Sequence, residues 1–150
     1  MHIYQNPYGV MTNAPDLPSQ LDNLSRYRGI TSSEPARKSH IPYPEPISFG
    51  YGLIGMPGDY SSESRFVRAY ILSQVCEDGG VEDFFRLTDS VSVARGAVID
   101  GDRRAYTRYT SCMDACSMTY YYTTYQSRTI RAVSVTEKDM SLGSPTFRAL

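Results

Sequence analysis

Tryptophan is absent from these 150 residues, histidine occurs twice and cysteine three times. The only imidazoles, His2 and His40, sit at no ligand spacing, so a zinc-type centre finds too few donors and no metal is expected. Cys76, Cys112 and Cys116 make an odd count with no repeated spacing, which argues against a secreted disulfide framework. They read as free thiols, although Cys112 and Cys116 are close enough to pair across a turn. Neither sign of charge is in excess, since Lys+Arg 15 against Asp+Glu 16 leaves a net charge of −1. Without a basic field, nucleic acid and anionic membranes are not expected as partners. No apolar run approaches the roughly 18 residues of a membrane span. The opening "MHIYQNPYGV" has neither a charged n-region nor an apolar h-region, so the expected compartment is the cytoplasm.

What is present is tyrosine, 13 in all, several of them packed into "MTYYYTTY", a density that favours a pleated, half-buried surface. With 41% apolar residues, residues 1–150 suit a single domain with a core of ordinary size. "IYQNPYGVMTN" reads as a hairpin around Asn6-Pro7-Tyr8-Gly9, though its first arm has little to pair with. Leu17, Leu21 and Leu24 form an apolar stripe, capped by Asp16 or Ser19 and running to Gly29, which predicts a short helix. Residues 31–50 hold four prolines and read as a long surface loop. A second helix is predicted from Phe66, Val67, Tyr70, Ile71 and Val75, with Asp59, Ser61 or Ser62 as its cap. A third follows from Val81, Phe84, Phe85 and Leu87, with Asp83 favourably placed near its N-terminal end. "AYTRYTSCMD", "SMTYYYTTY" and "TIRAVSV" then alternate polar with apolar, with "MDAC" and "QSR" as turns, giving an antiparallel three-strand meander. The tail after Thr136 reads as irregular. The fold class is therefore α+β, helices packed on an antiparallel sheet.

Two chemical readings of "MPGDYSSESRFVRA" fail on their requirements. A serine-hydrolase elbow needs G-x-S-x-G, but "GDYSSES" lacks the second glycine and no histidine follows it. A phosphate cradle needs a lysine that "GYGLIGMPG" does not carry. The serines read as helix caps. Arg65 and Arg68 lie three apart and would ordinarily be two solvated cations, yet Arg65 falls in the first turn, where the helix dipole opposes positive charge. It wants a compensating carboxylate or a task.

"NPYGVMTNAP", then "LDNLSRY", then "GMPGDYSSESRFVRA" together resemble the C-terminal half of the choloylglycine hydrolase family, which includes conjugated bile acid hydrolases and penicillin V acylases. "YTRYTSCMD" and "YYYTTYQSRTIRAVSV" resemble that family's closing strands, so the likeness covers nearly the whole chain. It implies part of an N-terminal nucleophile αββα sandwich, with the antiparallel sheet carrying helices on one face. In such a fold a terminal cysteine attacks an amide carbonyl, its own α-amine of pKa about 8 serving as base. Asn13 in "MTNAP" matches the family asparagine of the oxyanion hole, and Arg65 in "SSESRF" matches the arginine that supplies positive field at the active site. On its own, Asn13 would read as a turn residue.

The resemblance also implies a small-molecule amide substrate, a conjugated bile acid or acylated β-lactam, with no cofactor and with homo-oligomers in the full-length family. The nucleophile belongs to the N-terminal half. None of Cys76, Cys112 or Cys116 is terminal and Met1-His2 offers no thiol, so the chain reads as a fragment without an attacking group, unable to turn over alone. The rival reading is a non-catalytic, tyrosine-rich binding or assembly module.

Overall fold

The computed structural model describes residues 3–33, 44, 48–77 and 79–136. Most of the 31–50 loop, both histidines and the tail after Thr136 lie outside the described residues. Among the described residues, three α-helices, a 3₁₀ turn (Tyr51–Leu53) and two antiparallel sheets make an α+β chain: α1 (Leu17–Ser25), α2 (Ser62–Val75), α3 (Val81–Asp89), β1 (Val98–Asp100), β2 (Arg103–Ala105), β3 (Tyr109–Asp114), β4 (Thr119–Thr124) and β5 (Arg131–Ser134). They fall into two compact units, Met1–Asp78 with Asp89–Val91, and Gly79–Thr88 with Ser92–Leu150.

In the first unit, the Asp16 carboxylate caps α1 by accepting from the Ser19 amide at 3.2 Å. Pro18 is compatible with the first turn because an amide there has no intrahelical acceptor. The helix stops at Ser25, short of the expected Gly29. Arg26 and Tyr27 turn back onto Asn23 O and Leu24 O at 3.1 and 3.0 Å, tightening the last turn before the glycine is reached. Ser61 caps α2, its Oγ accepting from the Ser64 amide at 3.2 Å, and Phe66 and Val67 on that helix are the buried apolar centre of this unit. Between the helices, Thr31 N donates to Gly52 O at 2.9 Å, pinning the two ends of the long loop. Gly52 is required there, since a Cβ would run into the Thr31 and Ser33 carbonyls.

The hairpin expected at 3–13 is a turn without strands. Asn6 Nδ2 donates to Val10 O at 2.8 Å and Asn6 Oδ1 accepts from Tyr8 N at 3.2 Å. One side chain thus closes the turn where a strand ladder would need a paired neighbour.

In the second unit the meander forms in the order β3-β4-β5, with Cys112 opposite Tyr121 and Tyr121 opposite Ala132. The "MDAC" turn is closed by Asp114, whose carboxylate accepts from Cys116 N at 2.9 Å and from Ser117 Oγ at 2.7 Å. Hydrogen bonds from Ser117 and then Cys116 hold that carboxyl below its ordinary value. β4 is the central strand, hydrogen-bonded along both edges, and Thr119, Tyr122 and Thr123 on it are all buried, so the expected alternation blurs. Phe85 of α3 is buried in this unit, against the edge of the Phe84 ring. The β1–β2 hairpin was not foreseen from the sequence; it turns on Gly101, at φ 56°, and Asp102. All three cysteines are free thiols. No helix among the described residues is long and apolar enough to cross a membrane.

Candidate functional site

Asn13 lies in the bend just before α1, at an exposed position. Its flanking residues are held from both sides. Ala14 N donates to Ser62 Oγ at 3.2 Å, and Ala14 O accepts from Gln20 Nε2 at 2.7 Å. Gln20 Nε2 also donates to Thr12 Oγ1 at 2.9 Å. The bend is therefore fastened to the first turn of α2 through Ser62 and to the body of α1 through Gln20, which is 2% exposed.

Arg65 sits one helical turn into α2, its amide donating to Ser61 O at 3.1 Å. The guanidinium Nε is buried and has no hydrogen-bond partner among the described residues. The one ion pair among them is Arg26 with Asp22, on the surface. The carboxylate of the loop that leads into the helix is engaged elsewhere: Asp59 accepts from Ser61 N at 2.8 Å and from Ser64 Oγ. Hydrogen bonds from Ser61 and then Ser64 hold its carboxyl well below the usual range. Asp59 stays ionised and faces the positive end of α2, a favourable arrangement, while Arg65 keeps a buried nitrogen unmatched.

Arg68 differs from the solvated cation its spacing suggested. It is 6% exposed and reaches three backbone carbonyls, with Nε on Ser90 O at 3.1 Å and Nη1 on Pro57 O and Asp59 O, each at 2.7 Å. A guanidinium presents its donors as a planar fork, which suits several carbonyls at once. Arg68 thus fixes the loop that presents Asp59. Its neighbour three residues earlier, Arg65, is left with a donor to spare.

The serines of "GDYSSES" are all committed to structure. Ser61 caps the helix, Ser62 accepts from Ala14 and Ser64 donates to Asp59. A groove of about 370 Å³ runs beside α1 and α2, lined by Leu21, Leu24, Tyr27, Tyr70 and Ile71 among others. Neither Asn13 nor Arg65 borders it. Among the described residues, the segments carrying the two sequence-nominated residues are joined by the hydrogen bond from Ala14 N to Ser62 Oγ. Sequence reasoning missed Gln20 and Arg68. The available signal for Gln20 was a polar residue on the apolar face of α1, three residues after Leu17 and four before Leu24.

The family model for linear amide C–N hydrolases, choloylglycine hydrolase family, matches residues 1–147. The bile salt hydrolase/transferase of Lactiplantibacillus plantarum is 40% identical over 93% of this chain, which covers 45% of that protein. A variant of conjugated bile acid hydrolase from Clostridium perfringens superposes with a TM-score of 0.78 at 30% identity, over 94% of this chain and 44% of that one. Penicillin V acylase from Agrobacterium tumefaciens gives a TM-score of 0.64 at 21% identity, covering 92% of this chain and 39% of that one, a likeness of fold. The chain spans about 45% of the length of the curated relative from Lactiplantibacillus plantarum. On the family match and the identity together, this chain belongs to the choloylglycine hydrolase family of linear amide C–N hydrolases.

Proposed function

We propose that this chain contributes the oxyanion side of an amidase that cleaves the C–N bond of a small linear amide, with a conjugated bile acid as the favoured substrate and penicillin V as the other. The observation that carries the reading is the bond from Ala14 to Ser62, which fastens the bend of Asn13 to the helix turn of Arg65, where a buried guanidinium nitrogen has no partner among the described residues. When a nucleophile adds to the amide carbonyl, the oxygen gains negative charge before the C–N bond breaks and the amine leaves. The Asn13 carboxamide donates to that oxygen without titrating, and the Arg65 cation lowers the energy of the developing anion. The attacking group is assigned to a residue outside these 150. The 45% span of the Lactiplantibacillus plantarum relative supports that assignment.

The reading extends to a single-domain organisation of residues 1–150, a cytoplasmic location, self-association of the full protein and no cofactor. Family membership does not favour the rival, a non-catalytic tyrosine-rich module. The test is release of glycine or taurine from conjugated bile acids. The chain alone is expected to release neither, and addition of the N-terminal half of the Lactiplantibacillus plantarum relative should restore turnover. In that pair, Asn13→Ala should lower kcat by about 100-fold to 1,000-fold, the usual loss for one oxyanion donor. Turnover by the chain alone at the level of a full-length relative sinks the external nucleophile. Undiminished activity of Asn13→Ala sinks the donor role.

A further inference from the structure

We propose that Gln20 is a positioning residue for Asn13, holding the bend that presents its carboxamide in one conformation. The inference concerns the role that the proposed function gives to Asn13, and rests on that reading for its significance. Gln20 is 2% exposed, and its two Nε2 protons go to residues on either side of Asn13: Thr12 Oγ1 at 2.9 Å and Ala14 O at 2.7 Å. A backbone carbonyl can only accept, so the amide nitrogen must face Ala14 and the group cannot be turned end for end without losing that bond. Ala14 is also held at its N–H, by Ser62 Oγ at 3.2 Å. Asn13 is exposed, and among the described residues no hydrogen bond engages its own carboxamide, so its placement is set by what grips its neighbours.

The other half of the Gln20 amide supports the same conclusion. Gln20 Oε1 is buried with no partner among the described residues, a cost that leucine at this helix position would avoid. The two Nε2 bonds offset that cost, and both serve the bend rather than α1. An oxyanion donor must stand within about half an ångström of its productive place, and an exposed asparagine in a bend does not meet that tolerance unaided.

The experiment is NMR on the isotope-labelled full chain, comparing the parent with Gln20→Glu, Thr12→Val and Ser62→Ala. Gln20→Glu keeps the size and removes the donor; Thr12→Val removes one acceptor at a half-buried position and keeps the shape. The readouts are the mobility of the Asn13 carboxamide and hydrogen exchange at the Ala14 amide. Gln20→Glu is expected to mobilise the carboxamide, and Thr12→Val to do so to a smaller extent. Ser62→Ala should speed Ala14 exchange about fivefold, the effect of losing one ordinary hydrogen bond. Val133→Ala, a control for general destabilisation on β5, should move neither signal. Unchanged Asn13 signals in folded Gln20→Glu overturn the proposal; if that variant does not fold, unchanged signals in Thr12→Val overturn it. These signals report on the link between Gln20 and Asn13 whether or not amide hydrolysis is ever observed, so failure of the positioning role and failure of the proposed function are separate results.

Discussion

In the unit built on α1 and α2, the buried polar side chains Gln20, Ser64 and Arg68 reach out of their helices to loop residues: Thr12 and Ala14, Asp59, and then Pro57, Asp59 and Ser90. In the tyrosine-rich unit, buried Thr119 bonds only two residues away, to Ser117 O, and buried Thr123 Oγ1 has no partner among the described residues. The first unit spends buried polarity on shaping loops, whereas the second uses the backbone ladder for order and its side chains for packing. Tyr120 stacks on Tyr122 at 6.2 Å, and the Arg95 guanidinium lies 4.4 Å from the centre of the Tyr106 ring. Such contacts are tolerant of small displacements; fixed donors on a loop are not. The residues nominated for chemistry, Asn13 and Arg65, both belong to the unit whose loops are shaped by buried polar groups.

Removing Arg68 is the strongest way to break that contrast. Arg68→Met keeps the aliphatic stem and leaves the Pro57, Asp59 and Ser90 carbonyls without their donor. A loss of about 3 kcal/mol is expected, as for a charged buried donor with several acceptors. Urea unfolding followed by helical circular dichroism measures it. Arg26→Met is the reference, because the Arg26–Asp22 pair is exposed at 73% and 72% and should contribute only a few tenths of a kcal/mol. Equal losses for the two variants would remove Arg68 from its structural role.

A smaller effect follows from acid. Asp59 has a folded pKa depressed below its ordinary 3.8 by Ser61 and Ser64. A depressed carboxylate contributes stability that is fully present above the unfolded value and is lost as pH falls through the folded one. The stability of α2 should therefore decline as pH drops below about 4, and Asp59→Asn should flatten that decline in acid denaturation curves. Asp114 is depressed in the same direction by Ser117 and Cys116 but faces no helix N-terminus, so Asp114→Asn should flatten the curve less. A steeper response to Asp114→Asn would reverse the contrast between the units.

How legible each unit was in the sequence follows the same division. The meander and α2 were readable because their signals are local: apolar periodicity, a capping serine and an Asp-led turn. The β1–β2 hairpin had a Gly-Asp signal at Gly101-Asp102, yet its strands are three residues long and mostly exposed, so no alternation marked them. The opposite error fell at 3–13, where strand-like composition meets no pairing partner among the described residues. Asn13 and Arg65 were nominated through resemblance to a family; on its own Asn13 reads as a turn residue, and Arg65 was marked only by a first-turn position that the helix dipole opposes. Gln20 left one trace, a polar residue on the apolar face of α1, whereas Arg68 left none, because burial of a polar side chain depends on which loop folds back over it, a tertiary fact.

The smallest expected effect gives the sharpest version of the comparison. Gln20 and Thr123 each carry a buried oxygen without a partner among the described residues, but Gln20 also places two donor bonds and the Thr123 hydroxyl places none. Thr123→Val removes the unsatisfied hydroxyl, keeps the branched shape and suits a central strand, so it should be neutral or stabilise by up to about 1 kcal/mol. Gln20→Leu removes an unsatisfied oxygen as well, yet should destabilise, because the Thr12 and Ala14 acceptors lose their donor. Parallel urea titrations of the two apolar variants decide between them. Opposite signs show that an unsatisfied atom marks a working group only where the rest of that group is engaged; equal signs would mean that the Gln20 bonds do no more for the bend than the Thr123 hydroxyl does for its strand.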